Sequence, residues 1–477
     1  MNLLIYFLSV LALALVVFFI RNKTVHLFVS FIFVVVQFTL NYFIFNYRDE
    51  FTNSFFRPDA LAVLFISVLS ITGITTFINS FIYFKHRNEH KLTRSVYLAS
   101  MILLFGCMTG AFLSDNINIL WILAEATTLC ISMLIYHERT QESLEATWKY
   151  FFVSTIGLSL SFIGILLLNA ATSSSGFDNL TFSSLMSEKL AITNPMLFQV
   201  SFLLILIGFS VKMGIFPLHT VCIDAHSVAP GPVSAIISTS LMNVGFVAVF
   251  RFYQLFAHTY LLNWISHVML IIGLLSILVA TVYMLKVKNY KRLIAYSSIE
   301  HMGLITIGIA IGGIAYYAIV LHLVIHSFTK AGLFYQAQQF VRIFNSKRTE
   351  HTGGYFRITP LGGIIVILLF IVIMGIPPSG LFFTKLMMLQ ALISTNHLEI
   401  AIFILLLLAF VLWTFGNNIF HILFADRKVN EAPITAKVSF WESMPQLFLL
   451  LLALYISIYP PEILTNTIHE VIQNLPK

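Results

Sequence analysis

Apolar runs long enough to cross a bilayer recur from one end of this chain to the other. They read as spans at 2–20, 26–47, 59–84, 95–113, 117–136, 148–169, 196–216, 232–255, 263–285, 293–312, 314–341, 360–395 (interrupted), 398–424 and 441–459. A run of about 18 or more apolar residues predicts a transmembrane helix. The chain is therefore expected to be an all-α, polytopic membrane protein of about fourteen transmembrane helices. Composition agrees: 58% of its 477 residues are hydrophobic and 10% charged, where soluble domains are about a quarter charged. A large soluble protein is excluded on that ground. The first run, Asn2–Ile20, has neither a positive leading region nor a small-residue cleavage motif, and it reads as a retained helix rather than a signal peptide.

Charge fixes the expected orientation. The odd-numbered loops carry most of the 27 lysines and arginines, while the even loops and the C-terminus hold Arg48, Arg57, Lys189, Arg251 and Lys477. The positive-inside rule puts the odd loops in the cytoplasm and both termini outside, in a cell inner (plasma) membrane. The net charge of +7 is spread over short loops, so no nucleic-acid partner is expected. The longest polar connection runs from Ala170 to Pro195 and leaves no room for a soluble domain. Function must then reside within the bilayer or in contacts with partners.

Some residues do not belong in hydrocarbon. A charged side chain near the bilayer centre costs about 2.5–3.5 kcal/mol on insertion scales. Such a residue persists where it faces a polar interior, pairs, or works. Glu125 lies within Asn118-Ile-Leu-Trp-Ile-Leu-Ala-Glu-Ala-Thr-Thr, and Lys212 within Leu206-Ile-Gly-Phe-Ser-Val-Lys-Met-Gly-Ile-Phe-Pro. They offer a buried acid and a buried base; a static pair that only fixes helix packing is the other reading. Pro217 follows Lys212, and Gly375-Ile-Pro-Pro-Ser-Gly-Leu-Phe-Phe-Thr-Lys carries Pro377 and Pro378 ahead of Lys385. Proline breaks helices, and broken membrane helices are tolerated where they line a cavity or lie buried in protein. Two breaks, each with a nearby lysine, in corresponding positions of two halves point to an inverted-repeat transporter; simple kinks are the alternative.

Between the breaks, His322, His326 and Lys330 recur at i, i+4 and i+8 and share one helix face. Imidazoles titrate near neutral pH and pass protons. A metal site or a hydrogen-bonded structural face competes with that reading, but neither a third ligand nor an HExxH glutamate is nearby. His219, Asp224 and His226 lie just past the first break, and Glu300 and His301 in Tyr296-Ser-Ser-Ile-Glu-His-Met-Gly. Either group suits proton uptake or a connecting step, and His226 suits equally a cap on the following helix. No catalytic residue and no metal ligand set is expected. Neither GxGxxG, P-loop nor GxSxG occurs. Cys107, Cys130 and Cys222 are far apart in sequence without CxxC spacing, so no iron–sulfur or zinc site and no cofactor is expected.

The segments Val211-Lys-Met-Gly-Ile-Phe-Pro-Leu-His-Thr, Asp224-Ala-His-Ser-Val-Ala-Pro-Gly-Pro-Val-Ser-Ala, His326-Ser-Phe-Thr-Lys-Ala-Gly-Leu-Phe and Gly375-Ile-Pro-Pro-Ser-Gly-Leu-Phe-Phe-Thr-Lys resemble the antiporter-like membrane subunits of respiratory complex I and their relatives. Within that superfamily, Ala295-Tyr-Ser-Ser-Ile-Glu-His-Met-Gly and the Asp-Ala-His-Ser block most resemble component F of hydrogenase 4 type complexes. The resemblance covers roughly 95–425 and implies two inverted five-helix repeats, each with one broken helix. The implied organisation is N-terminal helices at 1–94, a first repeat at 95–256, a second at 257–425 and a C-terminal helix at 426–477. It implies a proton-translocating subunit of a membrane-bound oxidoreductase complex, hydrogenase-4-like or NADH-quinone oxidoreductase-like, without a redox centre of its own. A cation/proton antiporter subunit or a subunit of an ion-driven uptake complex is the alternative. The implied partners are other membrane subunits, a peripheral redox arm and the lipid bilayer. Glu125 and Lys212 would be the coupling pair of the first half, His322, His326 or Lys330 the central axis, and Lys385 the terminal lysine of the second half. Three departures stand out. Asn243 replaces a lysine or histidine of several relatives, Val221-Cys-Ile replaces a usual Trp-Leu-Pro, and no long lateral helix is expected after the last span.

Overall fold

The structure, a computed structural model, describes residues 3–87, 89–172, 180–187, 194–427 and 438–476. The described residues form helices α1 (Leu3–Phe19), α2 (Lys23–Asn46), α3 (Ala60–Lys85), α4 (Lys91–Leu113), α5 (Ile117–Ile135), α6 (Gln141–Thr172), α7 (Phe182–Ser187), α8 (Pro195–Met213), α9 (Thr220–Val228), α10 (Gly231–Ile236), α11 (Met242–Ala257), α12 (Leu262–Met284), α13 (Tyr290–Ile311), α14 (Ile314–Phe344), α15 (Tyr355–Ile358), α16 (Pro360–Met374), α17 (Gly380–Ser394), α18 (Leu398–Phe424), α19 (Met444–Ile458) and α20 (Glu462–Ile472). Only isolated β-bridges occur among them. Twelve helices are long and apolar enough to cross a membrane, and α1, α16 and α17 are shorter apolar helices. With α16 and α17 counted as one interrupted span, this is the expected architecture. The Ala170–Pro195 connection contains α7. Its parts at 173–179 and 188–193, with Lys189, lie outside the described residues, as do Lys428, Lys437 and Lys477.

The chain divides into two compact units. One comprises Met1–Ala229, Ser240–Ile265 and Thr467–Pro476, the other Pro230–Thr239 and Ser266–Asn466. Both turn the pattern of a soluble protein inside out. Leu406, Trp148, Phe152 and Phe410 are more than half exposed, while Lys212, Glu300, His322, His326 and Lys330 are buried. Lipid solvates the apolar exterior, so polar groups must find partners inside. In the first unit α6 and α8 pack closely, through small residues that let backbones approach. A Cβ on Gly208 would sit 2.5 Å from the Gly157 carbonyl oxygen, and Ser201 Oγ donates to the Gly164 carbonyl at 2.8 Å.

Glycine and proline end the broken helices. α8 stops at Gly214, whose φ of 76° is left-handed, and α16 stops at Gly375, whose φ is 72°. Left-handed backbone favours glycine and closes a helix C-terminus. Neither chain segment can resume at once, because Pro217 follows the first stop and Pro377 and Pro378 the second. The span Gly231–Ala257 is buried except at Gln254 and contains a π-helical stretch at Ile237–Leu241, just before Asn243.

Several basic residues assigned to loops lie inside helices, among them Arg94 in α4, Lys291 in α13 and Arg251 in α11. Arg251, assigned to an even loop by the charge reading, lies inside α11 and is 3% exposed. Its guanidinium donates to both Asp59 carboxylate oxygens at 3.1 Å, to the Phe112 carbonyl at 2.8 Å and to the Ser114 carbonyl. Asp59 also caps α3 by accepting from Ala62 N at 2.8 Å. An arginine fork suits such a multiple seat, which a loop charge would not need. Arg251→Met is expected to lower the unfolding free energy by about 2 kcal/mol or more, because the carbonyls and the carboxylate lose their donor. Thermal unfolding in detergent micelles checks it.

Candidate functional site

Lys212 occupies the last turn of α8, where a cation complements the helix dipole. It is 1% exposed. Its Nζ donates to Thr128 Oγ1 at 2.7 Å, Thr127 Oγ1 at 3.0 Å and the Tyr150 hydroxyl at 3.4 Å, and it lies 5.5 Å from the Tyr150 ring centroid. All these partners are neutral. Glu125, on α5 with both threonines, accepts instead from Thr155 Oγ1 of α6 at 2.7 Å. Among the described residues no ion pair joins Glu125 to Lys212. The expected acid–base pair is thus two adjacent seats, each built on hydroxyls.

The segment past the first break is split by its surroundings. His219 is 5% exposed and stacks at 6.3 Å on Phe216. Asp224 is half-buried and lies 3.9 Å from Lys149 Nζ, which also binds Glu145. His226 is buried within α9. The helix that follows starts at Pro230 without any side-chain cap, so the capping role is not taken up.

The second unit holds a tighter cluster. Lys385, six residues past the Ser379 cap of α17, points its Nζ to Glu300 Oε1 of α13 at 3.2 Å and to the Met374 carbonyl at 3.5 Å. Glu300 Oε2 lies 3.6 Å from His301 Nε2. His301 Nδ1 and His322 Nε2 share a hydrogen bond of 2.9 Å, and His322 Nδ1 bonds Thr384 Oγ1 at 2.8 Å. The tautomers set which group donates. The His326 ring centroid is 5.0 Å from that of His301, and neither His326 nitrogen has a hydrogen-bond partner among the described residues. Lys330 Nζ donates to the Ile294 carbonyl at 2.8 Å and to Ser297 Oγ. Pro377 and Pro378 sit between the two helix ends that form this pocket. No group of three or more residues that could hold a metal ion occurs among the described residues.

Sequence placed His322, His326 and Lys330 on one face, and the structure does so. It also brings in Glu300 and His301. Among the described residues, His301, His322 and Thr384 are hydrogen-bonded in a row, while His326 and the Glu300–Lys385 pair flank that row without a hydrogen bond to it. Groups that alternately accept and release a proton, at hydrogen-bond distances, can relay it. The hydroxyls of Thr127, Thr128, Tyr150, Thr155, Ser297 and Thr384 were not foreseen. One signal was available for two of them: Thr127 and Thr128 lie two and three residues after Glu125 in Glu125-Ala-Thr-Thr.

Residues 114–411 match the family described as NADH:quinone oxidoreductase/Mrp antiporter, TM. The chain is 33% identical over 364 residues to the hydrogenase-4 component F homolog of Methylacidiphilum infernorum (isolate V4), covering 74% of this chain and 75% of that protein. It is 26% identical over 368 residues to hydrogenase-4 component B of Escherichia coli (strain K12), of which the matched part spans about half, 52%. Its fold matches a chain of the membrane-bound sulfane sulfur reductase, an archaeal respiratory membrane complex. That match has TM-score 0.84 at 21% identity and covers 99% of this chain and 97% of that one.

Breaking one side of a buried ion pair strands the other charge, at a cost of about 3–5 kcal/mol. Lys385→Met alone is therefore expected to destabilise the protein more than the double change Lys385→Met with Glu300→Gln. Thermal unfolding of the two variants in detergent checks the order.

Proposed function

Because this chain belongs to the NADH:quinone oxidoreductase/Mrp antiporter transmembrane family, we propose that it is the proton-translocating membrane subunit of a membrane-bound oxidoreductase complex, hydrogenase-4-like or NADH-quinone oxidoreductase-like. The observation that carries this reading is the row of ionisable groups enclosed within the two units, set beside the likeness to hydrogenase-4 component F. The protein lies in the membrane, and we place it in the inner (plasma) membrane. Its partners are other membrane subunits and a peripheral redox arm, which supply the electron chemistry. The two interrupted helices are the centres of two inverted repeats, 95–256 and 257–425.

In this reading electron transfer in the partners shifts helices around Lys212. Glu125 is held by Thr155 of α6, and Lys212 by the two threonines of α5 with Tyr150 of α6. A small movement of α5 against α6 changes the distance from carboxylate to ammonium, and an approaching anion favours the charged base. Retreat of the acid favours release of the proton. In the second unit, His326, His322 and His301 exchange protons with the Glu300–Lys385 pair, where a carboxylate and an ammonium are in contact. The hydroxyls of Thr384 and Ser297 orient the His322 ring and the Lys330 ammonium along that route.

The family name also covers Mrp antiporters, so a cation/proton antiporter subunit is the second reading. Ion flux in vesicles without any redox partner separates it from the first. Lys212→Ala and Glu125→Gln in the assembled complex are expected to abolish most proton translocation while electron transfer persists in part. Normal translocation in both variants rejects the proposal; a pH-sensitive dye in inverted membrane vesicles is the readout.

A further inference from the structure

A cavity of about 210 Å³ opens on the face of the odd-numbered, basic loops of the second unit, lined by Lys288, Thr349, Glu350, Asn417, Asn418 and His421. Its rim is built rather than incidental. The loop before α13 and the loop after α14 are tied by Thr349 N donating to the Lys288 carbonyl at 2.9 Å, by Tyr290 N to the Lys347 carbonyl at 3.2 Å and by the Tyr290 hydroxyl to the Ser346 carbonyl at 2.8 Å. Lys288 lies 3.6 Å from Glu350 and holds its carboxyl below the usual carboxylate range, so the rim carries an ionised acid. Thr349 is 8% exposed, yet its hydroxyl has no hydrogen-bond partner among the described residues. A buried hydroxyl left so by protein marks a place suited to water.

The inner wall is α18, the most apolar of the long spans. Even so, one face of it carries His421, Asn418 and Thr414, at helical spacings of three and four residues. Asn418 Nδ2 donates to the Thr414 carbonyl at 2.9 Å, and Thr414 is 6% exposed. From His421 to Thr414 is seven residues, about 10 Å along the helix at 1.5 Å per residue. Glu300 is ten residues from the Tyr290 end of α13, about 15 Å inward. α18 touches both α13, which carries Glu300, and α17, which carries Lys385. Within the cluster, Glu300, His301, His322, His326 and Lys330 are 0% exposed and Lys385 is 8% exposed, so Lys385 is the member that reaches a surface.

We propose that this cavity, continued along the Asn418–Thr414 face of α18, is a water-accessible proton-uptake mouth that feeds the Glu300–Lys385 pair from the side of the basic loops. Glu350 and His421 collect the proton at the rim. Asn418 and Thr414 order the water chain past the apolar part of α18. The inference rests on the proton-translocating reading for its purpose but not for its geometry, and the test separates the two.

In a variant with Cys107, Cys130 and Cys222 changed to Ser, single changes Asn418→Cys, Thr414→Cys and Leu412→Cys are made in the assembled complex. A charged, membrane-impermeant methanethiosulfonate reagent is applied to inverted vesicles, whose outer face is the cytoplasmic one. Asn418→Cys and Thr414→Cys are expected to react severalfold faster than Leu412→Cys, which lies on the apolar exterior at 40% exposure. If both react as slowly as Leu412→Cys, the cavity is a surface dent and the proposal falls, whether or not the protein moves protons. In a second arm, Thr414→Val slows proton translocation about tenfold while Thr414→Ser retains it, and a small weak acid such as azide restores the Val variant. Labelling without any effect of Thr414→Val also overturns the uptake role. Normal translocation in Lys212→Ala would instead reject the broader function and leave the labelling result standing.

Discussion

Hydrocarbon does not solvate charge, and that one fact organises this molecule. A charged group within the spans must be served by protein atoms. Lys212 meets this with three hydroxyls, Lys330 with a carbonyl and a serine, Lys385 with a carboxylate, and Arg251 with two carbonyls and an aspartate. The helix breaks belong to the same economy of partners. Where α16 stops, the Met374 carbonyl is released from its helical role and comes within 3.5 Å of the Lys385 ammonium. A continuous helix would have turned that carbonyl toward its own amide four residues on.

Much of the fold could be read directly from the sequence. Runs of apolar residues located the spans because the bilayer enforces length and hydropathy together. Pro217, and Pro377 with Pro378, located the breaks, because a missing amide is a local property; the left-handed Gly214 and Gly375 that end the helices are seen only in the structure. The shared face of His322, His326 and Lys330 followed from helical period alone. Partner choice did not follow. Glu125 and Lys212 read as an acid and a base in one polar interior, and the sequence does not say what seats them: Thr155 takes the acid, and Thr127, Thr128 and Tyr150 take the base. Glu300, assigned to uptake or a connecting step, takes Lys385 from 85 residues away. Such pairings depend on how helices rotate about their axes, and hydropathy is nearly silent on rotation when most faces are apolar. Arg251 shows the same blindness: a charge near a span end reads as a loop residue until its buried acceptors are seen.

The two units therefore house their lysines by different electrostatic means. In the second, opposite charges touch, and the imidazoles of His301 and His322 extend the polar contact to Thr384. In the first, acid and base stand apart on neutral seats. Hydroxyls can turn to donate or accept, so they follow a change of protonation at little cost, whereas a carboxylate in contact resists it. Proximity in sequence puts Glu125 and the two threonines on one rigid helix, α5, which presents its acid to Thr155 of α6 and its hydroxyls to Lys212 of α8.

The neutral seat of Lys212 has a reach that the contacted pair lacks. A carboxylate and an ammonium at 3.2 Å form a compact dipole whose field dies away quickly with distance. An ammonium ringed by Thr127, Thr128 and Tyr150 has no such counter-charge in contact, so when protonated it projects the field of a monopole through a medium that screens poorly. Adding or removing that single proton changes the potential felt by helices well beyond its neighbours. Lys212 is thereby cast as a broadcaster of its own protonation state, and Lys385 as a quiet neighbour of its counter-charge.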